Sequence, residues 1–151
     1  MKKILLSFFT ILFLGMTLNC TSTIRQSSQT VAQNPKIQRE WMLVAFGNFT
    51  KPDLEKNKAK IDLTGNIAKG KIKGGAFMGC NDMFFDSEFK DDGSMKISGI
   101  GSTMKSCQNM DLETLFSKNF RSMIKYFIEG HFLTLSDNNG QTMKFVAADW
   151  D

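Results

Sequence analysis

The sequence predicts an α+β domain that is mostly β: an antiparallel curved sheet or small barrel with one packed amphipathic helix. Short segments that alternate apolar and polar residues recur from residue 40 onward, the period of a half-buried strand. One later segment, after Cys107, changes to spacings of three, four and seven, the period of a helix face. The strands come in runs and never alternate with helices as β-α-β, which argues against a doubly wound nucleotide fold.

In chain order, EWMLVAF at residues 40–46 is an apolar run of strand length, with Trp41 and Phe46 suited to a sheet. Residues 47–57 carry Gly47, Pro52 and several charges and read as a loop. KAKIDLT, residues 58–64, puts Ala59, Ile61 and Leu63 on one face. Gly65-Asn66 signals a turn, and IAKGKIK, residues 67–73, alternates again with Lys69, Lys71 and Lys73 together on its polar side. Met83, Phe85 and Phe89 share a face of residues 82–90, and Asp91-Asp92-Gly93 turns that strand back as residues 94–100. A helix over about 110–126 follows, capped by Asn109 or Asp111 and burying Leu112, Leu115, Phe116, Phe120 and Ile124. His131–Ser136 and Gln141–Ala147 make a final hairpin around Asp137-Asn138-Asn139-Gly140.

The N-terminus has a different character. After Lys2 and Lys3 come 15 uncharged residues, ILLSFFTILFLGMTL. A spanning helix needs about 20 apolar residues, so this reads as an export signal. It ends at Thr17-Leu18-Asn19-Cys20, which resembles a lipobox, although Asn19 stands where Gly, Ala or Ser is usual. The expected organisation is a lipoprotein signal peptide at 1–19, lipidated Cys20 with a disordered polar tether to residue 36, and one structured domain at 37–151. The alternatives are an ordinary cleaved signal and an uncleaved anchor. Cleavage leaves 151 minus 19, or 132, residues. Losing Lys2 and Lys3 leaves 17 basic against 15 acidic residues, a charge of about +2. That mild balance, with export, argues against a nucleic-acid partner.

If Cys20 carries lipid, Cys80 and Cys107 remain as a pair in a compartment where disulfides persist. The hairpin of 84–90 with 94–100 would bring them together, and Gly74, Gly75 and Gly79 would let the backbone bend into the bridge. The competing enzyme reading is a Cys80–His131 dyad, His131 being the one histidine. No nucleophile elbow, zinc-protease helix motif or phosphate loop occurs. Cys80, Cys107 and His131 lack zinc-site spacing, so no catalytic, cofactor or metal residues are assigned. Lys69, Lys71 and Lys73 could meet lipid headgroups or simply charge a strand edge. Phe84, on the polar face among Asp82, Asp86 and Glu88, is either a partner contact or an incidental exposed aromatic.

The order of motifs resembles the META domain family, the HslJ-like heat-shock proteins. Trp41-Met42-Leu43 opens the likeness, and Gly74–Asn81 (GGAFMGCN) is similar to the family's G-C-N element. Thr103–Cys107 resembles its T-x-x-x-C element, and Glu113 and Phe116 fall on E-x-x-F. Tyr126–Gly130, Leu133 and Leu135 match its Y-x-I-x-G-x-x-L-x-L run, and Phe145 closes its last strand. The chain departs at Phe85 and Asp86, where a glycine is frequent, and at Lys105, where methionine is. The resemblance implies a compact β-rich module, often on envelope lipoproteins, with links to stress tolerance or virulence and no general enzymatic activity. The expectation is a non-enzymatic, lipid-anchored module of the bacterial cell envelope, at the outer membrane or cell surface, meeting an unknown envelope protein. A carrier of an apolar ligand in the barrel mouth and a thiol enzyme are the alternatives.

Overall fold

The computed structural model describes residues 34–150. The expected signal segment 1–19, lipidated Cys20 and the expected tether up to residue 33 lie outside the described residues. Residues 34–36, assigned to the tether, already belong to a turn: Asn34 accepts from the Ile37 and Gln38 amides through its carbonyl and from the Lys36 amide through Oδ1. Ile37 is buried, and its carbonyl accepts the Trp41 indole N–H at 3.0 Å.

Nine strands form one curled antiparallel half-barrel. They are β1 (Glu40–Phe46), β2 (Lys60–Asp62), β3 (Ile67–Ala68), β4 (Lys71–Phe77), β5 (Asp82–Phe89), β6 (Met95–Ser102), β7 (Lys125–Glu129), β8 (Phe132–Ser136) and β9 (Thr142–Ala147). Their spatial order is β6-β5-β4-β2-β1-β9-β8-β7, with β3 on the side of β4. Register shifts between Leu43 and Ala45 and between Phe84 and Asp86 add the local bend that curls the sheet. The two ends of the sheet meet at one corner. There Ser94 bridges Lys125, the Met95 amide donates to the Ile124 carbonyl at 2.8 Å, and the Tyr126 hydroxyl donates to the Lys90 carbonyl at 2.8 Å. Burial, with Asp91 and Asp92 nearby, raises the pKa of that phenol.

Helix α2 (Asp111–Phe120) fills the curl. Phe116 and Phe120 stack at 4.7 Å; Phe116 meets Phe46 edge-on, and Phe120 meets Phe85 edge-on at 4.9 Å. These rings join Trp41, Phe89, Phe145 and the buried aliphatic side chains in one core cluster.

Several expectations need correction. The loop at 47–57 contains a short helix, α1 (Lys51–Lys56). Thr50 caps it in a capping box with Asp53, and Pro52 occupies its first turn, where a missing N–H costs nothing. The bonds from Thr50 hold the Asp53 carboxyl below its usual pKa. The 67–73 strand is broken, because Lys69 takes φ 52° in a turn between β3 and β4. Lys69 therefore leaves the strand face that Lys71 and Lys73 share on β4, and Lys73 pairs with Asp86 at 2.6 Å.

Helix α2 stops six residues short of the predicted end. The Asn119 amide donates to the Leu115 carbonyl, and the Ser122 hydroxyl to the Asn119 carbonyl. Such side-chain bonds compete with helix continuation. The residues beyond enter β7, a strand not expected from the sequence, where Tyr126 and Ile128 turn inward and Phe127 outward. Ile124 is half-buried in the connection, and Leu115 is 38 % exposed. No side chain caps α2: its N-cap is Met110, and Asn109 Oδ1 instead accepts the Asp111 amide.

Phe120→Ala and Phe116→Ala should each cost about 3–5 kcal/mol. Leu115→Ala should cost no more than about 1 kcal/mol, as a surface change does. Urea denaturation of the three variants separates a plugging helix from one that lies on the surface.

Candidate functional site

Gly74 and Gly75 lie within β4 rather than in a loop. A Cβ on Gly74 would collide with the Phe85 ring, so the glycine makes room for a core aromatic. Gly79 does bend the chain: its φ is +106°, and its open side is occupied by the Asn57 side chain at the end of α1. The turn delivers Cys80 and Asn81 to the mouth of the half-barrel, where both are buried.

Cys80 is bonded to Cys107 in a disulfide with Cα atoms 6.1 Å apart. Next to it, Asn81 organises three segments. Its Nδ2 donates to Glu113 Oε1 at 2.8 Å, and its backbone amide donates to Glu113 Oε2 at 2.7 Å. Its Oδ1 accepts the Lys105 amide at 2.7 Å and the Thr103 hydroxyl at 2.9 Å. The same hydroxyl accepts the Asp82 amide, and the Thr103 amide returns a bond to the Asp82 carbonyl. Glu113 lies in the first turn of α2, where the helix dipole favours a carboxylate. Although it is only 7 % exposed, both its oxygens are bonded.

This frame holds residues 103–107 as an exposed loop fixed at both ends. Thr103 and Lys105 are tied to Asn81, Lys105 Nζ reaches Asp82 at 2.8 Å, and Cys107 is tied to Cys80. Met104, between the two tied residues, is 99 % exposed. No periodicity in the sequence marks it. The available signal was its position between Thr103 and Cys107, two residues that a second segment holds.

His131 stands far from this place in the sheet order. Strands β2, β1 and β9 separate β4, which leads to Cys80, from β8, which His131 precedes. The imidazole stacks on the Trp150 indole at 3.4 Å. The structure therefore does not bring Cys80 and His131 together, and the Cys80 sulfur is engaged. Phe84 rests against Gly101 across the β5–β6 pair, where a Cβ would strike its ring. Its apolar surface thus has an internal use, covering an edge glycine. Among the described residues, no group of three or more His, Cys, Asp or Glu could hold a metal. The grooves at the surface are shallow; one, between the end of β1 and α2, is lined by Phe49, Leu115 and Lys118.

Comparison with known proteins places these residues in context. A family model described as META domain matches residues 33–150. No curated protein matches the sequence. A solved structure described as the NMR structure of the protein from Burkholderia xenovorans superposes with a TM-score of 0.60. It is 17 % identical, and the alignment covers 78 % of this chain and 86 % of that one, a likeness of fold.

Cys80→Ala and Cys107→Ala should each lower stability by about 3–4 kcal/mol in the chain-entropy model. Because both remove one bond, the double variant should lose little more than either; urea denaturation measures all three. Asn81→Asp tests the buried frame through pH. It sets a carboxylate against Glu113, so the pair's folded-state pKa rises above the unfolded value. The variant should then be closest to wild type below about pH 4 and fall behind as pH rises toward neutrality. A constant difference between pH 4 and 7 would show that the two carboxyls do not meet.

Proposed function

The chain belongs to the META domain family, and from this we propose that it is a non-enzymatic, lipid-anchored module of the bacterial cell envelope. It is exported, held at a membrane through acylated Cys20, and contacts an envelope protein through the loop that carries Met104. It serves tolerance of envelope stress or virulence. The observation that carries this reading is the loop itself. A fully exposed methionine is normally free to reorient. Here its backbone neighbours are fixed by Asn81 and by the disulfide. A rigid backbone that presents a flexible apolar side chain loses little entropy on binding, and methionine adapts to irregular partner surfaces.

Two further observations support a module over the alternatives. Aromatic and aliphatic side chains, including Phe116 and Phe120 from the helix, fill the space where an apolar ligand would sit. Cys80 is joined to Cys107, and His131 stacks on Trp150 instead of approaching a thiol. The anchor is supported by the sequence at 1–20, with its basic start, its 15-residue apolar run and a cysteine directly after it.

Mass spectrometry of the mature native protein should find an N-terminal acylated Cys20, and Cys20→Ala should leave the unlipidated precursor. Any other N-terminus overturns the anchor. A photoactivatable residue placed at Met104 should give a defined crosslinked product in envelope membranes. The same residue at Lys51, on α1, should not. Equal products at both positions, or none at Met104, would remove the loop as the contact.

A further inference from the structure

The C-terminal strands and the turn after them carry three exposed aromatic side chains, Phe127, Phe132 and Trp150. Phe127 on β7 is 64 % exposed. It faces Thr134, which places it diagonally beside Phe132 on β8. Phe132 pairs with Val146 on β9, and Val146 with Met42 on β1. Lys144 Nζ lies 4.4 Å over the Phe132 ring. At the end of this strip, the closing 3-10 turn Ala148–Trp150 stacks the exposed Trp150 indole on His131, the neighbour of Phe132. Exposed aromatics gathered on neighbouring segments in this way mark a contact surface.

Where the chain enters the domain identifies what this surface meets. From Asn34, the first described residue, the chain passes into β1 through Arg39, which pairs with Asp149 at 3.6 Å. Trp41 is then in register with Ala147, just ahead of the turn that carries Trp150. The root of the tether and the aromatic strip are therefore at the same end of the molecule. From Cys20 to Asn34 there are 14 residues, which reach at most about 50 Å. A lipid on Cys20 would keep this end near a bilayer at high effective concentration. The residue types suit that boundary: tryptophan settles at the level of the headgroups. The stems of Lys125 and Lys144, at the border of the strip, can lie along apolar surface with the ammonium groups in water. Glu129 also lies here, opposite Phe132. Asp149 and Glu40 are paired with Arg39 and Lys60.

We propose that the strip formed by Phe127, Phe132 and Trp150 seats the domain on the phospholipid surface to which its own N-terminus is tethered. The proposal rests on the anchor at Cys20, and its test is arranged so that the two can fail separately. In the chain from Cys20 onward made without the signal segment, and therefore unlipidated, Cys80 and Cys107 are paired and Cys20 is the free thiol. In that unlipidated chain the thiol can be coupled to a maleimide phospholipid, whatever the cell does to the native Cys20. The conjugate is placed in vesicles of phosphatidylethanolamine and phosphatidylglycerol with brominated acyl chains. Trp41 is fully buried, so the difference between the wild type and Trp150→Phe isolates the emission of Trp150.

That emission should move to shorter wavelength and lose most of its intensity to the bromines, while the emission of Trp41 stays constant. Phe127→Ser combined with Phe132→Ser should abolish the quenching and leave the near-ultraviolet circular dichroism of the fold unchanged. Trp150 emission that stays as in water would overturn the proposal, as would quenching that survives both serine substitutions. So would burial of Trp150 without vesicles that follows protein concentration, which would assign the strip to a second copy pairing through edge strand β7. An unacylated Cys20 in the native protein would end the anchor reading and leave the outcome of this experiment intact.

Discussion

A buried carboxylate is tolerable in a protein interior only when its oxygens are bonded, and Glu113 meets that condition through one residue. Asn81 gives it two donors, one from the side chain and one from the backbone. That fixes the start of α2 against the turn between β4 and β5. With the helix start set, Phe116 and Phe120 are aimed into the curl of the sheet, where they meet Phe46 and Phe85. The other side of the same amide receives Thr103 and Lys105. One asparagine thus couples the helix, the β5–β6 hairpin and the exposed loop. The adjacent disulfide makes the coupling covalent.

Curl and plug depend on each other. The register shifts, one in β1 and one in β6 where it pairs with β5, bend the sheet, and the bend leaves an interior wide enough to need the helix. A helix with large aromatic side chains is the filler that this width requires. Closure is incomplete because β6 and β7 meet only near Ser94 and Lys125. Beyond that bridge they remain edge strands. Gly99 and Gly101 on β6, and the extra residue that β6 carries between Ser98 and Gly101, make that edge irregular, which disfavours pairing with other chains.

The family motifs are scattered along the chain yet gather around this frame. Gly79, Cys80 and Asn81, Thr103 and Cys107, and Glu113 and Phe116 come from three separate segments, and all take part in one network or in the core beneath it. Their work is structural: they set the turn, lock the loop and seat the helix. They leave two exposed surfaces beside the frame. Those surfaces are the loop at Met104 and the strip from Phe127 to Trp150.

Alternation and turn chemistry are local, so they were readable without a structure. Met83, Phe85 and Phe89 on one face, Asp91-Asp92-Gly93 as a turn and the final hairpin all follow from the order of residues alone. So did the fold class and the likeness to the family. The short helix after Thr50 is also local, since Thr50 and Asp53 form a capping box, but Pro52 and the charges there read as a loop. The end of α2 was not local. Spacings of three and four run on through Met123, Ile124 and Phe127, and a helix would satisfy them. The chain instead pairs as β7 because β8 offers a strand edge, a partner that exists only once the sheet has formed. Likewise, a glycine in sequence shows that a side chain is missing but not what takes its place. Only the tertiary structure puts the Phe85 ring over Gly74, the Phe84 ring over Gly101 and the Asn57 side chain beside Gly79, because those contacts join residues that are distant along the chain.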